Sequence, residues 1–89
     1  AEELDIVTVA LDNAGTADAV EAAAQHRVHV ISEKPMSATL EQADRMIAAC
    51  RRARVELMIN WPTAWNPAIQ TLDRLIQDGV IGRVHKVKY

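Results

Sequence analysis

The chain is poor in the residues that build special-purpose sites. Cys50 is its one cysteine, which excludes a disulfide framework or a cysteine metal cluster within one chain. A lone thiol fits a reducing compartment, and a cytoplasmic location is expected. Gly15, Gly79 and Gly82 are the only glycines, too widely spaced for a Gly-x-Gly-x-x-Gly phosphate loop. No apolar run reaches membrane-spanning length, and no signal-peptide pattern opens the sequence. Positive charge is not in excess either. The net charge of −2 argues against a nucleic-acid surface, which needs a concentrated basic patch to displace counterions. No serine-nucleophile arrangement is present. Neither nucleic acid nor membrane is expected as a partner.

What remains is ordinary globular material, 49% apolar and 25% charged over 89 residues, consistent with one compact unit. A unit of this size buries only about 60–65% of its unfolded surface, so modest stability is expected. Ala1 is not a methionine, and Tyr89 falls in a strand-like run. The chain therefore reads as a piece of a longer protein.

"LDIVTVAL" (4–11) is almost continuously apolar and β-branched, the pattern of a parallel strand covered on both faces. The turn formers "DNAGT" follow, then a helix over 17–26 with Thr16 as N-cap. "VHVIS" (28–32) reads as a second strand. Thr39 and Gln42 form a capping box for the next helix. Leu40, Ala43, Ile47 and Cys50 mark its apolar stripe, widened by Met46, and Glu41 pairs with Arg45 one turn on. "VELMIN" (55–60) is a third strand. Asn66 and Pro67 then open a helix whose buried face is Ile69, Leu72 and Ile76, ending near Gly79. "GRVHKVKY" (82–89) begins a fourth strand. The order β-α-β-α-β-α-β predicts an α/β fold with a parallel sheet, and the periodicity breaks at 60–66.

In such a sheet ligands collect beyond the carboxyl ends of the strands. Asp12 and Asn13, then Ser32-Glu33-Lys34-Pro35, then Asn60 and Trp61, all fall on that edge. The Glu-Lys-Pro step is the sharpest feature. Pro35 fixes its own φ and restricts Lys34 towards an extended backbone, and a bond of this type is also open to the cis form. Lys34 is thereby aimed from a strand end.

The bland readings of other residues are preferred. His26 and His29 have no third ligand nearby, so no metal is expected. Cys50 reads as core. Arg51, Arg52 and Arg54, the one basic cluster, are expected to complement a helix C-terminus.

"DIVTVALDN", "VHVISEKPMSATLEQADRMI", "ELMINWPTAWNPA" and "IGRVHKVKY" together resemble the Gfo/Idh/MocA family of NAD(P)-dependent oxidoreductases, across essentially the whole chain. The resemblance implies the second half of a Rossmann-type, doubly wound parallel sheet, running into the start of an α+β substrate domain. Residues 1–62 would complete the dinucleotide-binding domain. Residues 63–89 would be the connecting helix and first strand of a substrate and oligomerisation domain. It implies NAD or NADP as cofactor and a sugar- or polyol-like substrate whose secondary alcohol exchanges a hydride with the nicotinamide. A homo-oligomer is implied for the full-length protein, and an inactive fragment for these residues alone. Lys34 would be catalytic, orienting the substrate hydroxyl and stabilising charge as that hydroxyl loses its proton. Asp12, Asn13, Glu33, Lys34, Pro35 and Trp61 would line the cofactor.

The sequence also departs from the family pattern. Asp12 stands where a proline is common and Thr16 where a histidine is. Arg27-Val28 replaces a usual Gly-Lys. Thr63 and Ala64 replace arginines near the carboxamide, leaving Trp61 or Trp65 to shape the pocket. Asp12 and Lys34, ending neighbouring strands, are expected to pair. Two rival readings are a non-catalytic cofactor-binding sensor and a structural α/β module of the same fold.

Overall fold

The computed structural model describes residues 3–88. Three short strands, β1 (Ile6–Val9), β2 (His29–Glu33) and β3 (Leu57–Asn60), form one parallel sheet in the order β1-β2-β3. The register pairs Val9 with Ser32 and Glu33 with Asn60, so the carboxyl ends of the strands share one edge. Helices α1 (Thr16–Gln25) and α2 (Leu40–Ala53) supply the crossovers. α1 packs on β1 and β2, and α2 packs along α1. The core lies between: Val9, Val20 and Val30 meet Ala17, Ala24, Met46, Ala49 and Cys50, all buried.

Both crossovers end alike. After α1 the N–H of Val28 bonds to the carbonyl of Ala23 and that of Arg27 to Ala24; after α2 the pairs are Val55 to Cys50 and Arg54 to Arg51. These are two Schellman closures, whose left-handed residue is usually glycine. Here it is arginine twice, with φ of 58° at Arg27 and 57° at Arg54. A side chain in that conformation costs about 1–2 kcal/mol.

Several local expectations change. Gly15, not Thr16, caps α1; the buried Thr16 instead donates its hydroxyl to the Asp12 carbonyl at 2.8 Å. The Thr39–Gln42 box forms, with the Gln42 N–H on Thr39 Oγ1 at 3.2 Å and the Gln42 side chain accepting from Ala38 N–H. The buried stripe of α2 is Met46, Ala49 and Cys50, while Leu40 is exposed. α2 has fourteen residues to the ten of α1. Arg45 does not pair with Glu41. It reaches across to α1, with Nη2 2.9 Å from Asp18 Oδ1 and Nε 2.7 Å from Glu21 Oε1. The latter oxygen is buried, and its contact is electrostatic, without hydrogen-bond alignment. Burial pushes the Cys50 thiol up.

Beyond β3 the chain leaves the α/β layer. A 3-10 turn (Pro62–Trp65) leads into α3 (Pro67–Gln77), capped by Asn66 Oδ1 on the Ala68 N–H at 2.9 Å. Asn66, Pro67 and the left-handed Gly79 play the parts expected of them. The face of Ile69, Leu72 and Ile76 is not buried, because among the described residues α3 packs chiefly against the 3-10 turn. The radius of gyration is 17.0 Å, against about 12 Å for a compact chain of this length. The expected fourth strand is absent from residues 82–88, for they have no neighbouring strand to bond; Tyr89 lies outside the described residues. Helices cover only one sheet face among the described residues, leaving Ile6 and Met58 exposed on the other.

Candidate functional site

The aligned strand ends gather the residues singled out in the sequence. β2 ends at Glu33, with Lys34 and Pro35 immediately beyond, and β3 ends at Asn60, with Trp61 beyond. Asp12 and Asn13 lie in the turn between β1 and α1.

Strand alternation turns Val30 and Ser32 towards the helices and Glu33 to the other face. There the Asn60 side-chain amide donates to Glu33 Oε1 at 2.7 Å, in a half-buried contact. The bond ties the last residues of two adjacent strands and fixes the backbone on which Lys34 sits. The sequence places Asn60 on this edge but gives it no role there. Its signal was a polar residue closing the apolar strand "LMIN", in register with a carboxylate.

Lys34 itself is exposed, and among the described residues no carboxylate pairs with it. The Lys34–Pro35 peptide bond is cis. The expected Asp12–Lys34 pair is not formed. Asp12 instead folds back on its own turn, where Oδ1 accepts the Gly15 N–H at 2.8 Å. A Cβ at position 15 would meet that same oxygen at 2.8 Å, so the absence of a side chain there lets the turn close. Asn13 and Trp61 are exposed on the same edge.

The side chains at this edge are a free ammonium, a carboxylate–amide pair and an exposed indole. Together they present donors, an acceptor and a flat apolar surface, which fits a ligand with hydroxyl groups and a planar ring. No group of three or more metal-ligating side chains occurs among the described residues. No helix among them is long and apolar enough to cross a membrane.

The family model for the Gfo/Idh/MocA oxidoreductases, with their NAD-binding Rossmann fold, matches residues 1–61. D-apiose dehydrogenase from Paraburkholderia graminis is 45% identical over 82 residues, covering 92% of this chain and 22% of that protein. The NADP(+) D-xylose 1-dehydrogenase of Haloarcula marismortui is 37% identical over 78 residues, covering 88% of this chain and 22% of that protein. Among solved structures, the WlbA dehydrogenase of Bordetella pertussis, in complex with NADH and UDP-GlcNAcA, superimposes with a TM-score of 0.84 at 31% identity. That match covers 91% of this chain and 23% of the other. The chain thus spans 22% of the length of the two curated relatives.

Proposed function

This chain belongs to the Gfo/Idh/MocA oxidoreductase family, and from that membership we propose that it is the nicotinamide-side half of the cofactor domain of a dehydrogenase. The full-length enzyme transfers a hydride between NAD or NADP and a secondary alcohol of a sugar, polyol or related small molecule. The observation that carries this reading is Lys34, a free cation directly beyond β2 on the edge where all three strands end. Relatives named for D-apiose and D-xylose support a sugar substrate. One relative is named for NADP(+) and another is in complex with NADH, so both cofactors belong to the proposal.

The cofactor, when bound, supplies the hydride acceptor or donor. The residues of this chain do the remaining work at this edge. Lys34 Nζ hydrogen-bonds the substrate hydroxyl and stabilises the oxygen as its proton leaves. Glu33, held by Asn60, keeps the lysine backbone in place. Trp61 covers the pocket with apolar surface, and Asp12, Asn13 and Pro35 shape its wall. Residues 1–62 close the cofactor domain, and 63–89 enter a substrate domain. Homo-oligomeric assembly and a cytoplasmic location complete the proposal; the buried, unpaired Cys50 fits a reducing compartment.

The test is Lys34→Ala in the full-length protein. A fall in kcat of about 10²–10³-fold is expected, the size seen when one positioned charge-stabilising donor is lost, with cofactor affinity little changed. Turnover unaffected by the substitution overturns the role of Lys34. A wild-type protein that binds cofactor yet oxidises no sugar or polyol would instead be a sensor.

A further inference from the structure

The opposite edge of the sheet, where the helices end, is as distinctive as the first. A cavity of about 500 Å³ opens there, lined by Arg27, His29, Arg52 and Arg54, with Ala53 and Val55 as its apolar floor. Among the described residues the ion pairs are those of Arg45 alone, so none of these three guanidinium groups is held in an ion pair; the carboxylate of Glu21 lines the adjoining cavity with Arg27 and Arg52 and not this one. The fourth polar wall is also a donor. His29 Nδ1 accepts the Glu56 N–H at 2.9 Å, which leaves Nε2 to carry the proton of the neutral ring. Every polar side chain of the cavity therefore offers a hydrogen, and the three arginines add positive charge, in a chain whose net charge is −2.

A helix C-terminus attracts cations, and that would explain arginines here if the terminal carbonyls needed partners. The Schellman closures already give backbone N–H partners to Ala23, Ala24, Cys50 and Arg51. Moreover, Arg27 and Arg54 occupy the two left-handed positions, where glycine would close the turn without strain. A strained backbone kept at two matching positions, with both side chains walling one cavity, points to a use for the side chains.

We propose that this cavity is a binding site for the phosphate group of a small molecule, held by Arg27, Arg52, Arg54 and the Nε2–H of His29. Its volume falls within the range of small-molecule sites, and arginine forks match phosphate oxygens two at a time. The site lies about 13 Å from the Lys34 edge, the length of β2, and does not depend on the hydride-transfer reading.

The experiment is thermal unfolding of the full-length protein, saturated with nicotinamide cofactor so that its own phosphate contacts are occupied, with and without pyrophosphate as the probe. Near saturation the wild-type midpoint is expected to rise by about 3–5 °C. Arg27→Gly/Arg54→Gly should raise the midpoint without pyrophosphate, by relieving the turns, and abolish the pyrophosphate shift. Arg52→Gln leaves both turns intact and should lose most of the shift, which decides the matter if the glycine variant does not fold. Cofactor affinity should be unchanged in each. No shift in the wild type overturns the proposal. So does an equal shift in the wild type and Arg52→Gln, the signature of general stabilisation by an excluded anion.

Discussion

Asn60 and Glu33 close the ends of β3 and β2 with one side-chain hydrogen bond of 2.7 Å. Strand pairing alone fixes the backbone up to these residues. Their bond continues the constraint one step further, to the position from which Lys34 leaves the sheet. The residue that bears the proposed chemistry is thus held through its neighbour.

Asn60→Ala should therefore act in two ways. Loss of a half-exposed hydrogen bond to a carboxylate costs about 1.5 kcal/mol, the lower end of the range for charged acceptors. If the proposed role of Lys34 holds, kcat should also fall while KM for cofactor stays near wild type. Asn60→Asp sets a like charge beside Glu33 and should be worse than alanine on both counts. Denaturant unfolding and steady-state kinetics check both expectations; a variant with wild-type kcat would show that Lys34 needs no such support.

Met46 is fully buried at the centre of the core. Met46→Ala should destabilise the protein by about 2–5 kcal/mol, whereas Met46→Leu, which conserves volume, should cost less than about 1.5 kcal/mol. Urea midpoints at constant m-value measure the difference.

The start of α2 carries an acid-side signature. Its own backbone N–H, and then the Thr39 hydroxyl, hold the exposed Glu41 carboxyl below its ordinary value of 4.5. A depressed folded pKa means that the unfolded chain binds more protons in acid. The contribution is therefore present above pH 4.5 and disappears as pH falls through the lowered folded value. Glu41→Gln should flatten that part of the stability profile. Thr39→Ala should flatten it too, and should cost about 1 kcal/mol at neutral pH by removing the cap. Urea midpoints across the acid range test both.

Arg45 joins α1 to α2 through Asp18 and Glu21, with half its side chain exposed. Arg45→Ala should cost no more than about 1 kcal/mol, because solvent screens the pairs. The loss should shrink further as salt is added. A cost that does not change with salt would mean that the side chain acts by packing.

The strands, the helix starts and the candidate edge were legible because their signals are local: apolar runs, Thr39 three residues before Gln42, Asn66 before Pro67. The errors came where a distant partner decides. Nothing near Arg45 in sequence says that Asp18 and Glu21 lie opposite it, so the Glu41 one turn away looked sufficient. Leu40 fits the helical stripe, yet it stands exposed at the first position of α2. Residues 82–88 have strand-like composition, but a strand exists only with a neighbour to bond. Asp12 was free in sequence and is occupied in structure by the N–H of Gly15. Asn60 could be placed on the edge from sequence, but its bond to Glu33 is visible only once the register sets the two side by side.

The position of β2 between β1 and β3 has a consequence for motion. Among the described residues each outer strand has one partner strand in the sheet, while β2 is bonded along both sides. An opening that frees its amides must break two ladders at once, so hydrogen exchange within the sheet should be slowest at Val30, Ile31 and Ser32. Lys34 begins two residues later. The most mobile kind of side chain in the molecule is thus mounted on the last part of the sheet to come loose.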